Sequence, residues 1–146
     1  MTIASAICNT FKQEILVGTH NFTASSGDTF NLALYTSSAS LGAGTTAYAS
    51  TNEITNTAGS AYSAKGKALT SVTPVLSTDT AVCDFANASW SSASFTARGC
   101  LIFNDTASGD PSVCAIDFGG DKTVTSGTFT IEFPAATAGN AIIGIA

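Results

Sequence analysis

From Phe22 onward the chain alternates short apolar runs with clusters of turn residues, and this pattern constrains the fold more than any other feature. Phe30, Leu32 and Leu34 alternate with Asn31, Ala33 and Tyr35, the period-two spacing of a strand with one face buried. Residues 68–76 and 80–86 flank Ser77-Thr78-Asp79, which predicts a hairpin with Cys83 and Phe85 on one face. Pro74 weakens the first of those strands or places it on a sheet edge. Trp90 stands just before a strand over residues 94–104, whose later half reads as buried on both faces. After a turn at 105–111 a strand is expected over 112–118, broken by Gly119-Gly120-Asp121. The last two strands fall at 128–133 and 141–145, separated by Pro134 and Gly139. About seven to eight strands spaced by about ten residues, with no helical period between them, predict an all-β domain, a β-sandwich or jelly-roll-like fold.

The start of the chain differs. Ala4, Cys8, Phe11 and Ile15 recur at the three-and-four spacing of a helix, with Gly18 placed to end it, so residues 3–18 read as one amphipathic helix. The expected organisation is one domain, a helical arm over 1–20 and a β-domain over 22–146. Residues 37–60 form a neutral Ser/Thr/Ala/Gly-rich stretch too long for a bare connection. It is either a functional loop or it hides a short strand near 48–54.

Charge narrows the function. Only five Lys and Arg stand against ten Asp and Glu, a net charge of −5, so the clustered cations that phosphate neutralisation requires are missing and nucleic acid is not an expected partner. No apolar run reaches transmembrane length, and the start shows no basic, apolar leader pattern, so a membrane is not expected either. Charged residues make up 10% of the chain, well below the ~25% of ordinary soluble domains, which implies a neutral, hydroxylated surface suited to close packing against other subunits. Cys8, Cys83, Cys100 and Cys114 lack a CxxC pair, and the last three lie in strand-like runs, so core thiols are expected rather than disulfides.

Chemistry needs convergent groups. His20 is the single histidine, and no G-x-S-x-G elbow accompanies it, so the expectation is a solvated or capping side chain and no enzyme activity. Asp84, Asp105, Asp110, Asp117, Asp121 and Glu132 sit beside turns and strand ends, where local backbone bonding accounts for them better than a glycosidase pair. Asn104-Asp105 with Ser108, Gly109 and Asp110 faintly resembles a calcium loop but lacks its closing glutamate. No metal or cofactor is expected. Arg98, the only arginine, lies in an apolar strand and needs a carboxylate or a neighbouring subunit to pair with.

The run Ala6-Ile7-Cys8-Asn9-Thr10-Phe11-Lys12-Gln13-Glu14, closing at Gly18-Thr19-His20-Asn21-Phe22, resembles the start of small virion proteins of tailed phages, including cyanophages. The likeness continues through Asp28-Thr29-Phe30, Ala33-Leu34-Tyr35-Thr36 and Thr51-Asn52-Glu53. It resumes at Ala97-Arg98-Gly99, Phe103-Asn104, Asp117-Phe118-Gly119 and Ala141-Ile142-Ile143. This resemblance implies a head-associated structural protein, a cement subunit bound as a homotrimer to the major capsid protein on the outside of the virion, assembled in the host cytoplasm. Expected contact residues are Phe11 and Ile15 on the helix, Leu41, Tyr48, Glu53 and Tyr62 along the neutral stretch, and Arg98. The alternative is a tail-associated module recognising a host glycan, with Trp90, Tyr48 and Tyr62 as stacking rings; core packing is the simpler role for those rings.

Overall fold

A computed structural model describes residues 2–55 and 61–146. Among the described residues the fold is all-β with one short helix and two antiparallel sheets. In chain order the elements are β1 (Ala6–Ile7), α1 (Asn9–Leu16), β2 (Phe30–Tyr35), β3 (Lys67–Ala68), β4 (Ser71–Ser77), β5 (Thr80–Phe85), β6 (Ala88–Asn104), β7 (Ser112–Ile131) and β8 (Ile143–Ile145). One sheet has the order β1-β7-β6-β2-β3 and the other β4-β5-β8.

The helix is shorter than the apolar stripe predicts. Ala6 and Ile7 pair with Ala115 and Cys114 of β7, and Ile3 bridges Leu41, so the first residues bond as an edge strand. The remaining stripe serves the core: Cys8 and Phe11 are buried, and Ile15 packs against them. Gly18 ends the helix at φ +80°, with its N–H on the Ile15 carbonyl and the Thr19 N–H on that of Glu14, the paired bonds of a Schellman motif.

Strand β2 departs from the expected single buried face, since all six residues are buried. Phe30, Leu32 and Leu34 join the main core, which includes Phe11, Phe22, Tyr62, Trp90 and Ile102. Ala33 and Tyr35 point the other way, into a second cluster with Ile3, Ala39, Leu101, Phe103 and Ala115. The neutral stretch covers that second face. Its described part, residues 37–55, holds no strand but forms three isolated bridges, Leu41 with Ile3, Ala47 with Pro111 and Glu53 with Tyr35 of β2. Residues 56–60 of the stretch lie outside the described residues.

Strand β6 begins earlier than expected, so Trp90 lies within it and is buried. The expected strands at 112–118 and 128–133 are one continuous element, because Gly119-Gly120-Asp121 forms a bulge rather than a break. Gly99 faces Asp117 and Ala97 faces Lys122, leaving four β7 residues opposite Arg98 alone. A second irregularity lies near Gly127, and Phe118 and Phe129 come together at 6.3 Å between ring centroids, so β7 bends back on itself. The predicted hairpin forms, with Ser77 opposite Thr80 around Thr78 and Asp79, and Pro74 sits on edge strand β4 at a bulge. All four cysteines are free, three of them buried and Cys83 half-buried.

Candidate functional site

Residues 36–55 cross the face of the larger sheet and are fixed there along their length. The Leu41 N–H donates to the Thr2 carbonyl, the Asn9 N–H to Ala43 and the Ser112 N–H to Thr46. The Ser112 hydroxyl donates to the Thr45 carbonyl at 2.6 Å. Further along, the Tyr48 N–H donates to the Asp110 carbonyl, the Tyr35 hydroxyl to the Ala49 carbonyl at 2.8 Å and the Ile54 N–H to Leu34.

Glu53 is the hub of this attachment. Its residue is 8% exposed, yet three donors hold its carboxylate: the Tyr62 hydroxyl at 2.5 Å, the Tyr48 hydroxyl at 2.6 Å and the Lys65 N–H at 2.8 Å. The Tyr62 oxygen in turn accepts the buried Leu34 N–H at 2.9 Å. A charge taken out of water is tolerable only with such partners. Burial, with the hydrogen bond to Glu53, pushes the Tyr48 phenol up to about 12 and the Tyr62 phenol well above its ordinary range. Burial, with the charge of Glu53, also raises Tyr35.

Beside this hub the covering stretch encloses an open bowl of about 590 Å³, lined among others by Tyr35, Leu41, Thr45, Thr46, Ala49 and Asn52. No Asp, Glu, Lys or Arg is among its lining residues. Its wall is apolar and hydroxylated, and its floor is fixed by the Tyr35–Ala49 bond.

Three of the residues singled out in the sequence, Tyr48, Glu53 and Tyr62, therefore meet in one internal network, and Leu41 lies on the adjoining bowl. Phe11 and Ile15 belong to the main core, with Phe11 packed on His20 and Phe22 at 5.0 and 6.0 Å between ring centroids. Arg98 lies apart, donating from Nε to Asp117 at 3.0 Å. The Gly119 N–H and this guanidinium hold the Asp117 carboxyl below the usual carboxylate range. The rings proposed for stacking are committed elsewhere: Trp90 and Tyr62 are buried, and Tyr48 stacks on Phe103 at 4.7 Å.

One expectation is corrected. His20 is neither solvated nor a cap; its side chain is fully buried, with Nε2 2.6 Å from Glu14 and Nδ1 3.1 Å from the Asn104 amide nitrogen. Because the Asn104 oxygen accepts the Thr106 and Ala107 N–H groups, its NH₂ faces the ring, so Nδ1 is the acceptor and Nε2–H donates to Glu14. The loop that resembled a calcium site holds an ammonium between its carboxylates: Lys65 Nζ lies 2.9 Å from Asp105 and 2.8 Å from Asp110. Sequence reasoning missed Lys65 and Tyr35. The available signal for Lys65 was its place before Gly66, where two left-handed residues in succession turn the chain toward Glu53.

No family model matches the chain, no curated protein matches it, and no solved structure matches it.

Proposed function

We propose that the chain is a structural subunit of a tailed-phage particle that decorates the outside of the assembled head, binding the major capsid protein and further copies of itself. The observation that carries this reading is the clamped cover. A surface of uncharged, small and hydroxylated residues is locked onto the sheet by the Glu53 hub and by bonds at both of its ends. Such a surface loses little side-chain entropy and desolvates few ions on contact, which suits a subunit bound many times over a lattice. A ligand that binds only the assembled state stabilises it by mass action, at every occupied position. His20 and Glu53 are bonded inside the chain, so the described groups with the most chemical potential act as braces.

Heads depleted of this protein should assemble yet rupture at lower temperature or milder osmotic shock than complete heads, and added purified protein should restore them. Depleted heads of equal robustness, combined with failed adsorption to host cells, would refute decoration and favour the tail-associated reading.

A further inference from the structure

The six exposed large hydrophobic residues among those described are Leu16, Val17, Val72, Val75, Leu76 and Ile145. Four of them border a single groove. Its volume is about 470 Å³, and its wall runs from Ile15 and Gly18 at the end of α1, past Phe22, to Pro74, Ala81 and Ile145 on the three-stranded sheet. Leu16 and Val17 stand between two wall residues and are 86% and 72% exposed. Leu76 pairs with Ala81, which pairs with Ile145, so these three share one row and one face of that sheet. Leu76 is 74% and Ile145 54% exposed.

We propose that a second copy of this chain docks on this face, with the Leu16 and Val17 ridge of one copy seated in the groove of the other. The ridge and the groove lie side by side on one surface, so two copies related by rotation present each with the other, as contacts between identical subunits require. The four rim side chains supply roughly 300 Å² of apolar surface, more than half the apolar share of a stable contact of ~800 Å² per partner. No Asp, Glu, Lys or Arg lines the groove, so two chains of net charge −5 meet where neither places a charge. A bilayer is the poorer occupant, since interfacial binding draws on a cationic rim that the groove lacks.

Sedimentation equilibrium of the full chain from micromolar to millimolar concentration tests this. The expected result is reversible association, weakened by ~30-fold or more by Leu16→Asp and by Ile145→Asp. Val75→Asp should leave it unchanged, because Val75 is exposed but lies on the opposite face from Leu76. Circular dichroism of each variant separates lost association from lost folding. A single-chain mass throughout, or equal weakening by Val75→Asp, overturns the contact and leaves the face to a different protein. The contact rests on the self-association in the proposed function, and because the measurement involves no particles its failure removes that self-contact while leaving attachment to the capsid protein standing, whereas heads that do not bind the chain leave the contact standing.

Discussion

Replacing Tyr62 with Phe removes one oxygen from the centre of the Glu53 hub while keeping the ring that packs on Trp90 and Phe95 at 6.0 and 6.1 Å. That oxygen donates to a carboxylate and accepts the N–H of Leu34, a residue with no exposed surface. A hydrogen bond to a charged group contributes ~1.5–3 kcal/mol, and a buried amide left without its acceptor costs ~1–3 kcal/mol, so the expected loss is about 3 kcal/mol. For a domain of this length that lowers the melting temperature by roughly 6–12 °C. Tyr48→Phe is the internal comparison, because it removes a bond to the same carboxylate from a half-buried ring that water can reach. It should cost ~1 kcal/mol. Calorimetry and urea unfolding of both variants, of Glu53→Gln alone and of Tyr62→Phe combined with Glu53→Gln give the values and the coupling between Tyr62 and Glu53. Equal losses for the two tyrosines, or additive losses for Tyr62 and Glu53, would refute the argument that one buried carboxylate fixes the covering stretch.

Alkaline stability follows from the raised phenols and thiols. A folded-state pKa above the unfolded one means that the native chain holds its proton longer, so stability is intact below the unfolded value and falls as pH rises toward the folded one. For Cys83 that window runs from 9.0 to about 11, for Cys114 from 9.0 to about 12 and for Tyr48 from 10.0 to about 12; unfolding monitored against pH should show a decline that begins near 9. Gly66→Ala should lower the melting temperature more than any exposed substitution, because an added Cβ would lie 1.8 Å from the Leu32 carbonyl oxygen and the backbone there is left-handed. Thiol titration should find four reactive groups in denatured protein, while in the native state half-buried Cys83 reacts before Cys8, Cys100 and Cys114.

The all-β fold, the β4–β5 hairpin and the Schellman ending of α1 were legible because each rests on local rules: period two, turn chemistry and a glycine after a helix. The errors arose where distant residues decide. The stripe from Ala4 to Ile15 fits a helix, but Ala6 and Ile7 gain backbone partners on β7 that lie over a hundred positions away. Gly119-Gly120 is the same signal whether the chain turns or bulges, and only the pairing of β7 with β6 selects the bulge. Tyr48, Glu53 and Tyr62 are each expected from the sequence only as contact residues along the neutral stretch, and nothing local indicates that they converge. The burial of His20 likewise depends on Asn104, eighty-four positions later, closing over it.

The pairing of β2 with β6 has a consequence for synthesis. Phe30–Tyr35 is uncharged and fully buried in the finished fold, but its β6 partners lie 64 to 74 positions later, from Tyr35 with Gly99 to Phe30 with Asn104. At ~5–20 residues per second the segment waits roughly 3–15 s on the ribosome for the strand that will cover its edge. Short, apolar, uncharged β-formers in that position are the sequences most prone to pair with other nascent chains. Slower initiation or cooler growth, which spaces neighbouring ribosomes or weakens premature apolar contacts, should therefore raise the yield of folded protein more than any change to the surface.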